Sequence, residues 1–180
     1  MRTITTPRPF VAHPHYASQR RAALVGLDPH DLDQPLVALV KGFNQLPYCF
    51  TLQCCWGHFQ VAGQRDPHNL NRLPPGKGES VHYRIAYLAL CIESNPSGRT
   101  LRTALERLPA LDPDYIEFCS ADWFWKRWPN SYALQVEPLR FRHLDAVDLP
   151  YKEALHVQDC RDRFFMALDQ LLAELPKVDE

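Results

Sequence analysis

Residues 81–92 constrain the fold more than any other stretch of this chain. Val81, Tyr83, Ile85, Tyr87, Ala89 and Cys91 point one way along an extended run, and Ala86, Leu88, Leu90 and Ile92 point the other. From Ile85 onward both faces are apolar, which marks a central strand covered on both sides. Only its start carries polar groups, at His82 and Arg84. The rest of the chain has to supply this strand with neighbours and with cover.

The cover is legible as helices. Helical spacing appears over residues 16–27 and through Leu36, Val37, Val40 and Phe43 before Pro47. It returns from Asn95-Pro96 through Leu101, Leu105 and Leu108, and again from about Tyr151. In that last helix Phe164, Phe165, Leu168, Leu171, Leu172 and Leu175 form an apolar stripe. Alternating patterns predict strands over residues 48–53, 115–120 and 132–137, with residues 59–62 returning onto 48–53 as a hairpin around Gly57. Residues 1–15 form an extended arm pinned by Ile4, Phe10 and Val11, and residues 63–80 a long polar loop. The sum is one α+β domain over residues 1–180, with a mostly antiparallel or mixed central sheet covered by helices. No glycine-rich turn joins a strand to a helix, which excludes a doubly wound nucleotide-binding fold.

Reactive side chains are densest where residues 33–47 give way to the strand Tyr48-Cys49-Phe50-Thr51-Leu52-Gln53-Cys54-Cys55 and then Trp56-Gly57-His58-Phe59. Strict alternation puts Cys54 on an apolar face with Tyr48, Phe50 and Leu52, and Cys55 on a polar face with Thr51 and Gln53. Cys55 is then the thiol for chemistry, activated by a cation at His58 or Arg84, unless it is an inert buried cysteine. Cys-Cys-x-x-His, even with His68 and His82, falls short of a zinc pattern, and no metal is expected.

Asp33, Val37, Leu39, Val40, Asn44, Phe50, Thr51, Cys55 and Gly57 stand in the order and spacing of a known motif. In this ungapped stretch, residues 33–59, the chain resembles the wybutosine-synthesising tRNA methyltransferases, which methylate a ring nitrogen of a tricyclic guanosine precursor. Gln53 and Cys54 replace two family serines, Trp56 a small residue, and His58 an arginine. The resemblance implies S-adenosylmethionine as cofactor and a modified tRNA guanosine as substrate. For such a reaction Thr51, Gln53, Gly57 and Arg84 are the candidate cofactor-binding residues and Cys55, His58 and His82 the candidate catalytic ones, one histidine taking up a proton.

Asp122-Trp123-Phe124-Trp125-Lys126-Arg127-Trp128 holds three of the four tryptophans beside two cations. Trp123 and Trp125 are candidates to stack a base, and Lys126 and Arg127 to meet phosphate, on a loop walling a pocket. Pro75-Gly76-Lys77-Gly78 is a weaker candidate for an anion loop. A net charge of −1 leaves no basic footprint for nucleic acid. A tRNA partner therefore requires Lys77, Lys126, Arg127, Arg140 and Arg142 to share one surface. Six cysteines without a signal peptide, and no apolar run long enough to span a bilayer, point to free thiols in the cytoplasm and away from membranes. Two other classes of function fit the same residues. One is a non-catalytic module binding a small molecule or a protein; the other is a thiol- or metal-dependent enzyme using Cys55 and His58.

Overall fold

Local sequence accounts for most of the element boundaries. The computed structural model describes residues 3–64, 66–74 and 80–175, so Pro75-Gly76-Lys77-Gly78 lies outside the described residues. The short strand β1 (Ile4–Thr5) precedes α1 (Tyr16–Val25), and α2 (Val37–Gln45) follows a 3-10 turn opened by Pro35. Next come β2 (Cys49–Cys55), β3 (His58–Gln60), β4 (Ser80–Arg84) and β5 (Ala86–Ile92). Asn95 caps α3 (Pro96–Leu105), its Oδ1 accepting from the Gly98 N–H at 2.8 Å. The chain ends through β6 (Ile116–Ala121), α4 (Asp122–Arg127), β7 (Ser131–Val136), β8 (Ala146–Pro150) and α5 (Tyr151–Glu174).

All pairings are antiparallel. One sheet runs β1-β6-β7-β5-β2 and a smaller one β3-β4-β8, which makes the molecule α+β and not doubly wound. The expected return of residues 59–62 onto residues 48–53 does not form. Instead β2 continues past Trp56-Gly57 into β3, while β4 continues past Ile85 into β5, and the two halves pair separately, β3 with β4 and β2 with β5. The ribbon thus bends sharply from one sheet into the other. Gly57 makes the bend possible: its φ is +87°, and a Cβ there would lie 2.8 Å from the Ala86 Cβ. Across the bend the Tyr83 hydroxyl donates to the Val136 carbonyl at 2.7 Å and accepts from the Ala86 N–H at 2.8 Å.

β2 carries a second irregularity. Thr51 pairs with Leu90 and Gln53 with Ala89, so Leu52 is an extra residue on its strand. Beyond it the alternation is inverted, and this overturns the expected roles of the adjacent thiols. Cys54 pairs with Leu88 and is half-buried, while Cys55 pairs with Tyr87 and is buried.

One face of the larger sheet packs against α2, α3 and α5. Leu36, Val40, Phe43, Leu101, Phe164 and Leu168 meet Leu88, Leu90, Ile92 and Leu134 there. The other face is thinner. Phe124 of α4 and Ile4 cover the small row Ala89, Ala133 and Cys119, and Tyr16 of α1 covers Phe50 and Cys91. β5 is therefore central and covered on both sides, as its composition requires. The N-terminal arm is held largely by hydrogen bonds: β1 pairs with β6, and Asn130 bonds both the N–H and the carbonyl of Val11, whose side chain is exposed. Among the described residues, no helix is long and apolar enough to cross a membrane.

Candidate functional site

The bend gathers one group of polar residues. Asp33 Oδ2 accepts from the Trp56 N–H at 2.8 Å and lies 3.3 Å from His58 Nε2. His58 is 2% exposed, its Nδ1 faces the Asn69 carbonyl at 3.3 Å, and His68 meets its ring edge-on. The Asp33 carboxylate, then the Cys55 side chain, push its pKa up to about 10, so it is an imidazolium at neutral pH. Asp33 is correspondingly held below the usual carboxylate range by its bonds to His58 and Trp56, against the opposing effect of burial. Asp33, His58 and His68 lie close enough to share an ion, but both nitrogens of His58 already face acceptors.

From below, Arg161 of α5 seals the bend. Its guanidinium lies 4.8 Å from the Trp56 ring centre and 5.2 Å from that of Phe59, and Nη1 donates to the Gly57 carbonyl at 3.2 Å. Asp162 Oδ1 accepts from its Nε and Nη2. This is a tightly bonded corner with little free chemistry. Cys55 is buried within it at 4% exposure, so the expected accessible thiolate is not found. Of the other expected residues, Arg84 pairs across the strands with His58 and His82 with Gln60. His82 and Arg84 are exposed on β4, where His82 Nδ1 lies 2.8 Å from Asp148 Oδ1.

A groove opens instead on the thin face of the larger sheet. Ala89 and Ala133 pair directly, and Cys119 pairs with Ala133, so three small side chains adjoin across β5, β7 and β6. The hollow above them, about 270 Å³, is lined by Ala133, walled by Ile4, Trp123 and Phe124, and bordered by Gln53, Tyr87, Gln135 and Asp145. A second hollow of about 590 Å³ adjoins it, sharing Gln53 and Tyr87 and adding Asp31, Thr51, Cys54 and Trp128. Between the two, the Tyr87 hydroxyl donates to Gln53 Oε1 at 3.4 Å. Gln135 is buried and donates from Nε2 to Glu117 Oε2 at 3.2 Å. Burial pushes the Glu117 carboxyl up and Arg142, bonded to it, pulls it down. Burial likewise pushes the Cys54 thiol up to about 12. Thr51 is held by Asn44 Oδ1, which accepts from its N–H and hydroxyl at 2.8 and 3.1 Å.

The aromatic segment is the helix α4 rather than the expected loop, and that separates its side chains. Positions two apart on a helix point to opposite sides. Trp123 walls the groove, while Trp125 packs edge-on against Tyr132 with Arg8 over its ring. Lys126 and Arg127 are exposed on the last turn, the guanidinium of Arg127 4.7 Å from the Trp128 ring centre. Arg140 and Arg142 are engaged by Glu153 and Glu117, and Lys77 lies outside the described residues. The structure thus brings Thr51, Gln53 and Trp123 to contiguous hollows and leaves Cys55, Gly57 and His58 at the bend. Tyr87 is expected on the central strand, but the sequence assigns no site role to it, to Gln135 or to Asp145. A glutamine inside the buried strand β7 was the one available sign.

Comparison with protein-family models and with curated proteins gives no match. Among solved structures, the chain is similar to the PH1069 protein from Pyrococcus horikoshii, with 11% identity and a TM-score of 0.53 over 91% of this chain and 97% of that one. At this identity the likeness concerns the fold alone.

Proposed function

We propose that the groove binds a nucleoside-type ligand and that the protein is an enzyme of the kind its residues 33–59 resemble, a cytoplasmic S-adenosylmethionine-dependent methyltransferase acting on a tRNA guanosine. One observation carries the reading: Thr51 and Gln53 of β2 and the sequence-distant Trp123 of α4 line adjoining hollows that meet at Gln53 and Tyr87. The lining suits the cofactor. Among the described residues, it contains Asp31, Asp145, Tyr87, Trp123 and Trp128 but no lysine or arginine. Carboxylates and aromatic faces favour a ligand bearing sulfonium and ammonium charges. When bound, S-adenosylmethionine supplies an activated methyl group. The chain's own part is to hold a flat ring over Ala133 against Trp123, and to meet its edge with Gln53 and Gln135. Asp145 accepts the N–H groups of a guanine edge or takes up its proton. The six free cysteines suit a reducing compartment.

The non-catalytic reading draws on a different observation. Cys55 and His58 are buried at the bend and do not line the groove, which leaves the carboxylates Asp31 and Asp145 as its candidate proton acceptors. Thermal denaturation with S-adenosylmethionine, its demethylated product and guanosine tests both readings. At a hundredfold excess over the dissociation constant, cofactor or product is expected to stabilise the protein by about 2–3 kcal/mol. Trp123→Ala and Gln53→Ala should lose most of that gain. Unchanged melting with millimolar cofactor and product overturns the methyltransferase reading. Ligand binding without methyl transfer to tRNA leaves the binding module.

A further inference from the structure

A second cluster lies away from both bend and groove, where α5 packs on the segment after α3. His156 and Cys160 are one turn apart on α5, and Asp112 follows the 3-10 turn Leu108–Leu111. The Asp112 carbonyl accepts from the N–H groups of Tyr115 and Ile116 at 3.1 and 2.8 Å, which fixes its backbone. Three heteroatoms converge: Asp112 Oδ2 is 3.0 Å from His156 Nε2 and 3.2 Å from Cys160 Sγ, and Sγ is 3.5 Å from Nε2. Zinc bonds of about 2.0–2.3 Å in tetrahedral array imply ligand separations of roughly 3.3 Å between N and O and 3.5 Å to S.

We propose that Asp112, His156 and Cys160 form a zinc-type site that clamps α5 to the segment after α3. A nucleophilic triad is the competing chemistry, and the geometry argues against it. A relaying histidine offers one nitrogen to the acid and the other to the thiol. Here the same nitrogen, Nε2, faces both. Cys160 is also 0% exposed, out of reach of a substrate. Coordination would release its thiol proton to solvent and leave a thiolate on the ion. The soft sulfur selects zinc-type ions over magnesium or calcium.

The surroundings fit such a site. The Tyr115 ring stands edge-on to the His156 ring at 4.6 Å between centres and limits its rotation. Exposure rises from Cys160 outward to His156, whose side chain is 45% exposed, so the fourth position opens to solvent. Arg163 approaches that side, its Nη2 3.4 Å from Sγ and 3.7 Å from Asp112 Oδ2. It is held there also by Asp159 and the Leu111 carbonyl.

Cobalt(II), then zinc(II), titrated into chelator-treated full-length protein tests the site without reference to methyl transfer. One cobalt per chain is expected, with tetrahedral visible bands and a near-ultraviolet thiolate-to-cobalt band that zinc displaces. Cys160→Ser should abolish the thiolate band. His156→Ala, at a position exposed enough to spare folding, should weaken binding at least tenfold, while His58→Gln should leave the spectrum unchanged. Absence of a thiolate band at stoichiometric cobalt, or a band that survives Cys160→Ser, overturns the proposal.

Discussion

His58 and Asp33 tie the stability of the bend to pH. The folded pKa of His58 is near 10, above the roughly 6.5 of an unfolded histidine. A raised folded pKa contributes stability that is fully present below pH ~6.5 and is lost as pH rises towards 10. Asp33 acts in the opposite range, its contribution falling away only in acid below its ordinary carboxylate pKa. His58→Gln is expected to cost about 3 kcal/mol at pH 6, because it leaves a charged partner unmatched, and much less at pH 10. Urea denaturation of both proteins across this range checks it; parallel curves at every pH would show that the pair is not charged. The neighbouring thiols offer a second residue-level test. Strict alternation hides Cys54 and exposes Cys55, but the extra residue at Leu52 reverses them. Half-buried Cys54 lines the groove, so disulfide-exchange reagents at alkaline pH should label it first, and peptide mapping should find Cys55 protected. Labelling of Cys55 ahead of Cys54 would place the bulge elsewhere.

Elements with strong local punctuation were legible in the sequence, and elements defined by a bend were not. Asn95-Pro96 announces α3, and the apolar stripe announces α5, because caps and helical repeats are local properties. Residues 81–92 alternate without a break, yet Ile85 divides them between two sheets. Side-chain period reports which face a residue takes, not whether the ribbon turns a corner. The bend depends on a positive φ at Gly57 and on a tyrosine hydroxyl bonded to Val136, far along the chain. Helix α4, with six residues, is too short to show a repeat, and so the segregation of Trp123 from Trp125 stayed hidden. The element-level prediction follows from the bend. Gly57→Ala imposes a left-handed conformation on a residue with a side chain and drives its Cβ against Ala86, at a cost of about 1–3 kcal/mol or more. A shift of the urea midpoint with an unchanged slope would show this loss with the denatured state unaltered. An unshifted midpoint would mean that the ribbon relaxes around the methyl group.

At the scale of the whole molecule, the helix-covered core and the groove lie on opposite faces of the larger sheet. The groove residues Gln53, Trp123 and Gln135 come from three separated segments, so only their chemical types, never their meeting, were visible in the chain. Arg161 was missed for a related reason: an arginine on an amphipathic helix ordinarily faces water. Here it is 2% exposed and joins α5 to the bend where the two sheets meet. Asp162 then links it to Arg72 in the segment that covers His58. Arg161→Met keeps the apolar stem but leaves the Gly57 carbonyl and Asp162 without these donors, and is expected to cost about 3 kcal/mol. Arg161→Lys should recover less than half of that, because an ammonium cannot both lie flat between Trp56 and Phe59 and bond two acceptors as a planar fork. Neither change touches the groove lining, so the dissociation constant of any groove ligand, measured below the melting range, should stay within about twofold. Equal stability of Arg161→Met and the natural protein would show that the buried cation is not needed to hold α5. A large loss of ligand affinity in a folded Arg161→Met protein would show that the bend and the groove act as one site.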